Sequence, residues 1–194
     1  MSPTLFGVLW VPIVLLFAWK PVRLLQLAIL GSIFQGAAIA QQGGFAIVPS
    51  LLPAVLFLGH GVMRTSADPV TPVQHRMLRL LFPLLLLTVY AVLSSYLLPR
   101  LFEGTIRVWP VRPHTTADFS LESLAPARGN LTQTFYIIVH VGVTMTAALL
   151  LASSLRTQVL LVRTYIFSGL VVLAICVWEL TSHVAGIPYP KVFL

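Results

Sequence analysis

The stretch PRLFEGTIRVWPVRPHTTADFSLESLAPARGNLT, from Pro99 to Thr132, is the only long segment of this chain that is too polar to lie in a lipid bilayer. It holds four arginines and three of the chain's five acidic residues. Apolar runs fill almost all of the sequence on either side. The segment therefore predicts an aqueous loop that separates two halves of a helical membrane protein.

The composition supports a lipid-embedded chain. Hydrophobic residues make up 58% of the 194 residues and charged residues only 9%, against roughly 25% charged in soluble domains. The net charge of +7 comes from basic residues placed singly at the ends of apolar runs. This pattern is typical of transmembrane helix flanks and not of a surface that binds nucleic acid, so we expect no nucleic-acid partner.

Six apolar runs approach the roughly 20 residues that a helix needs to cross about 30 Å of hydrocarbon. We expect helices at about 4–19, 24–40, 45–63, 80–98, 134–152 and 158–178, with a long external loop at 99–133. The predicted fold class is therefore all-α, a polytopic integral membrane protein with one transmembrane domain over residues 1–194. Pro49 and Pro53 predict a kinked or irregular start to the third helix.

The basic residues of the short loops predict the orientation. They fall on the first, third and fifth connections: Lys20, Arg23, Arg64, Arg76, Arg79 and Arg156. Because short cytoplasmic loops are enriched in lysine and arginine, we place these three connections in the cytoplasm. The N-terminus and the loop at 99–133 are then external.

Small residues in the second apolar run predict a packing surface. Ser32, Gly36 and Ala40 recur at four-residue spacing, which on a helix would form a ridge that lets a neighbouring helix approach closely. The sequence Gln41–Gly44 that follows is short enough to predict a tight turn between helices two and three.

Tyr136, His140 and Thr144 recur every four residues and so share one face of the fifth helix. An ionisable group at membrane depth is costly and must face other helices or water. The stripe is either part of a polar cavity that binds a headgroup or relays a proton, or a neutral histidine bonded to a partner helix. Arg163, about 8 Å inside the sixth run, is expected to extend its side chain back to the surface.

Candidate ligand-binding residues also lie in the long loop: Arg107, Trp109, Arg112 and His114. Guanidinium groups bind phosphate bidentately, so these residues could hold a phosphate or a sugar beside the membrane. The alternative is an interfacial connector whose arginines meet lipid phosphates. The five histidines lie in separate segments without metal-ligand spacing, and the chain has a single cysteine, so we expect no metal and no cofactor.

Several short motifs resemble a known family. Gly43-Gly44-Phe45 opens a predicted helix, a connector ends in the sequence of Arg128–Tyr136, and the tail contains Trp178-Glu179-Leu180 and Gly186–Pro190. Together these resemble the N-terminal half of bacterial O-antigen ligase and polymerase proteins. The resemblance implies a place in the bacterial inner membrane, and a role in surface polysaccharide assembly with undecaprenyl-linked glycans. The catalytic loop of that family would lie in a second half beyond Leu194, so we expect no catalytic residue in this chain.

Three functional hypotheses follow. The first is a partial or non-catalytic polymerase/ligase-like protein that contacts membrane lipids and an undecaprenyl-linked glycan. The second is a small transporter or channel-like protein that uses the Tyr136/His140/Thr144 face. The third is a structural subunit that packs beside a larger membrane partner through the Ser32/Gly36/Ala40 ridge.

Overall fold

The computed structural model of the chain describes residues 2–34, 37–42, 45–67, 71–108, 122–125 and 128–186. The described chain is mostly helical, which confirms the predicted helical character. Its helices are α1 (Leu5–Leu16), α2 (Pro21–Ile33), α3 (Leu51–Ala67), α4 (Pro72–Leu101), α5 (Arg128–Ala152) and α6 (Leu155–Ala185). Five short strands accompany them: β1 (Ser2–Pro3), β2 (Ala40–Gln42), β3 (Phe45–Ile47), β4 (Arg107–Val108) and β5 (Glu122–Ser123).

Local sequence signals fix the starts of the helices. The Thr4 hydroxyl accepts a hydrogen bond from the Gly7 N–H at 3.0 Å, and Ser154 caps α6 in the same way. Thr71 and Gln74 form a reciprocal capping box at the start of α4, with distances of 2.9 and 3.3 Å between the bonded atoms. Pro21 and Pro72 each occupy the first helical position, where a missing N–H costs nothing.

Three helices are long and apolar enough to cross a membrane: α4, the part of α5 from Thr132 to Ala152, and α6. The other three are shorter. α1 and α2 contain 12 and 13 residues, which corresponds to about 18–20 Å of helix and is less than the hydrocarbon thickness. The six-span count therefore stays a prediction, while the presence of membrane-length helices is a feature of the fold.

The second predicted helix is shorter than its apolar run. α2 ends at Ile33 rather than near residue 40, and β2 pairs with β3 in antiparallel register, Ala40 opposite Ile47. Gly43 and Gly44 of the predicted turn lie outside the described residues, and the segments on either side of them are strands, not helices. The third predicted helix also begins later than its apolar run, at Leu51, because Pro49 disfavours helical conformation in the residue before it.

The described chain divides into two compact units. The first comprises Met1–Leu78 and Val143–Leu194, and its core is formed by buried apolar side chains: Val14, Leu24, Leu25, Phe57 and Leu161. Within it α2 packs against α3 and α6, and α1 packs against α3. A three-stranded sheet in the order β1-β2-β3 lies beside the start of α1, where the Thr4 N–H donates to the Ile39 carbonyl at 3.1 Å.

The second unit comprises Arg79–Gly142. It contains most of α4, the first part of α5 and the antiparallel pair of β4 and β5, in which Arg107 lies opposite Ser123. Apolar side chains of α4 such as Leu80, Leu87 and Tyr90 are more than half exposed. Such a surface is expected of a helix whose neighbours are lipid chains.

Candidate functional site

Arg107 is the one described member of the predicted loop site. The chain leaves α4 through a turn in which Gly104 adopts a φ of 74°, a conformation that suits glycine. The Gly104 N–H donates to the Leu124 carbonyl at 3.1 Å. Leu124 in turn donates its N–H to the Ile106 carbonyl at 2.7 Å. These bonds hold Arg107 in β4, close to the end of a membrane-length helix, with its side chain exposed.

Arg100 lies nearby in sequence but is held by its own helix. Its guanidinium carbon lies 3.7 Å from the centroid of the Tyr96 ring, and its Nη1 donates to the Tyr96 carbonyl at 2.8 Å. The Arg100 guanidinium therefore makes a cation–π contact and a hydrogen bond within its own helix. Arg107 carries no such contact within the described residues. The other predicted loop residues, Trp109, Arg112 and His114, lie outside the described part of the chain.

The predicted stripe on the fifth helix lies on α5. His140 Nδ1 is 2.6 Å from the Tyr136 carbonyl oxygen, and the two rings have centroids 6.3 Å apart. Tyr136 is half-buried, whereas His140 and Thr144 are exposed. The histidine therefore makes a bond within its own helix and still presents its ring at the surface of a membrane-length span.

The predicted small-residue ridge does not form on a helix. Ser32 lies in the last turn of α2, Ala40 lies in β2, and Gly36 is outside the described residues. Instead, α2 closely approaches the backbone before α3 at Gly31, where a Cβ would lie 3.0 Å from the Ser50 nitrogen. Because Ile33 ends the helix, four-residue spacing beyond it no longer places side chains on one face.

A cleft between α2 and α6 was missed by sequence reasoning. It encloses about 330 Å³ and is lined mainly by apolar side chains, with four polar ones: Arg23, Gln26, Arg163 and Thr164. Arg163, which was expected to extend back to the surface, has an exposed side chain that lines this cleft. Its depth in the sixth run was visible in the sequence, whereas the pairing of α2 with α6 that supplies Arg23 was not.

A second cavity of about 100 Å³ shows that three chain connections converge. Its lining includes Pro21 at the start of α2, Arg64 near the end of α3, Gln74 at the start of α4 and Leu150 near the end of α5. His60 also lines it, and its Nε2 lies 2.5 Å from the Ala18 carbonyl oxygen, which links α3 to the connection between α1 and α2.

The described residues contain no group of three or more histidine, cysteine or acidic side chains placed to hold a metal ion. The described site residues are basic, aromatic and hydroxyl groups, and a guanidinium suits the binding of anions. The O-antigen resemblance stays a prediction. Comparison with family models, with curated proteins and with solved structures gave no match to this chain.

Proposed function

We propose that this chain is a non-catalytic integral membrane protein that binds a lipid-linked glycan during surface polysaccharide assembly. The observation that carries the proposal is the position of Arg107, an exposed cation in β4 just beyond the end of α4. Since α4 is long enough to cross a bilayer, its end lies at the level of the phosphate groups of membrane lipids. A guanidinium at that level is suited to the pyrophosphate that joins a glycan to its lipid.

The proposal includes a place and an orientation. The chain lies in the bacterial inner membrane, with the connections after α1, α3 and α5 in the cytoplasm and the α4–α5 connection outside. Support comes from the convergence of helix ends from these three connections around the 100 Å³ cavity, together with the basic residues they carry.

The test is a binding assay with undecaprenyl-pyrophosphate-linked glycan and the purified chain in nanodiscs. Arg107→Ala is expected to weaken binding about tenfold or more, since hydrogen bonds to charged groups contribute roughly 1.5–3 kcal/mol. The same change combined with Arg112→Ala should weaken it further. Arg100→Ala is the matched control, because Tyr96 already holds that guanidinium. Unchanged binding in both Arg107→Ala and the double variant would contradict the proposal.

A second candidate function, a small transporter or channel-like protein, is favoured by one observation. His140 is exposed on the surface of α5 inside a span of membrane length. Because an imidazole facing lipid is costly, a polar path beside this face would explain its presence. Proteoliposome flux that depends on pH and disappears in His140→Ala, but persists in the neighbouring exposed variant Ile138→Ala, supports this function. Equal flux in all three proteins rejects it.

A further inference from the structure

The cleft between α2 and α6 has a charged mouth and an apolar interior. Arg23 lies in the first turn of α2, and Arg163 lies eight residues beyond Leu155, in the third turn of α6. Leu30 lies seven residues beyond Arg23 on α2, which is about 10 Å further along the helix, and Phe167 lies one turn beyond Arg163 on α6. Leu30 and Phe167 therefore lie beyond the two arginines along the helix axes, while Phe17 and Leu160 line the cleft on the side of the arginines.

Hydrogen bonds hold the polar part in place. Arg23 Nη1 donates to Gln26 Oε1 at 3.0 Å, and Gln26 Nε2 donates to Thr164 Oγ1 at 2.6 Å. The Thr164 hydroxyl donates to the Leu160 carbonyl at 3.0 Å, which completes a chain from α2 to α6. Such a linked chain fixes the Arg23 guanidinium before any ligand arrives, and this lowers the entropy lost on binding.

The positive charge at the mouth is not balanced within the described part of this unit. The one described acidic side chain there is Glu179, which lies more than four helical turns beyond Arg163 on α6, about 24 Å away. Two guanidinium groups thus share one cleft, and no carboxylate among the described residues of this unit is in reach. Their charge complements an anion, and their planar forks match the oxygens of a phosphate.

We propose that this cleft binds an anionic glycerophospholipid, with its phosphate held by Arg23 and Arg163 and an acyl chain lying along Leu27, Leu30 and Phe167. The ligand class follows from the cleft's two parts. A free phosphate would leave the apolar interior unused, and a zwitterionic lipid would bring a positive headgroup beside two guanidinium groups. Arg23 lies beside the connection between α1 and α2, so the phosphate is at the membrane surface when the acyl chain is in the hydrocarbon. This site uses none of the residues in the proposed glycan site.

The test measures phospholipid binding by the full chain. The purified protein is titrated with phosphatidylglycerol, phosphatidylcholine and soluble glycerol phosphate in detergent, and retained lipid is counted by native mass spectrometry. We expect retention of phosphatidylglycerol, little retention of phosphatidylcholine and weak binding of glycerol phosphate. Equal affinity for glycerol phosphate and phosphatidylglycerol would show that the apolar interior contributes nothing, and would overturn the proposal.

Substitutions distinguish the cleft from general attraction between a basic protein and an anionic lipid. Arg163→Gln is expected to raise the apparent Kd for phosphatidylglycerol about fivefold, and Arg23→Gln by a similar factor. The matched control is Arg156→Gln, an exposed arginine in the first turn of α6 that does not line the cleft. Equal losses in Arg156→Gln and Arg163→Gln would contradict a defined site.

Folding does not confound the result. Arg163 makes no hydrogen bond to the described residues, so its replacement breaks no hydrogen bond among them, and circular dichroism checks the helix content of each variant. Arg163→Lys gives a second measurement, because it keeps the charge and loses the planar fork. Retention of phosphatidylglycerol by Arg163→Lys at a level between those of the parent and Arg163→Gln supports the proposal, while full retention in all three overturns it.

Discussion

At the scale of the residue, Gly61 shows how closely α3 approaches α5 within the first unit. A Cβ built at Gly61 would lie 2.3 Å from Thr146 Cγ2 and 3.1 Å from Thr146 Cβ. Gly59, two residues earlier on the same helix, has no atom within 4 Å of its added Cβ. The two glycines thus have opposite packing requirements in the same helix.

This contrast gives a stability prediction. Gly61→Ala should lower the free energy of unfolding by about 1–3 kcal/mol through overpacking, whereas Gly59→Ala should leave it unchanged or raise it slightly, because alanine favours helix. The measurement is thermal unfolding in detergent with both single variants. Adding Thr146→Ala to Gly61→Ala should recover part of the loss. A loss of equal size at Gly59 would contradict the packing seen at α3.

At the scale of the element, the sequence predicts best where length and hydropathy alone decide the structure. The runs at 80–98, 134–152 and 158–178 lie within α4, α5 and α6, because an unbroken apolar stretch leaves the backbone no partner but its own helix. The run at 24–40 was predicted less well. Hydropathy does not distinguish a buried helix from a buried strand, and Ala40 belongs to β2.

The contacts of the candidate site residues also differ in how well the sequence predicts them. Tyr136 and His140 share a face of α5, as their spacing predicts, and the bond from His140 Nδ1 to the Tyr136 carbonyl spans one turn. The link between Gln26 and Thr164 joins residues 138 positions apart in the sequence. Such a contact depends on which helices pack together, and a single sequence carries no periodic signal for it.

At the scale of the whole molecule, the membrane orientation can be tested along a single helix. α4 contains 30 residues and extends about 45 Å, so its two ends lie on opposite sides of a bilayer that it crosses. His75 lies in the first turn of α4 beside Arg76 and Arg79, and Glu103 lies two residues beyond its end. The side chains of His75 and Glu103 are both exposed. Since the basic end is expected in the cytoplasm, Glu103 should be external.

The measurement uses single cysteines in a Cys176→Ser background, with a membrane-impermeant maleimide applied to spheroplasts. Glu103→Cys should react in intact spheroplasts, whereas His75→Cys should react only after lysis. The Cys176→Ser parent should remain unlabelled in both conditions, since it has no thiol. Labelling of His75→Cys but not Glu103→Cys before lysis would reverse the orientation. That result would place Arg107 in the cytoplasm, where it could not meet an external glycan, while the proposed phospholipid cleft between α2 and α6 would keep its ligand chemistry on either side.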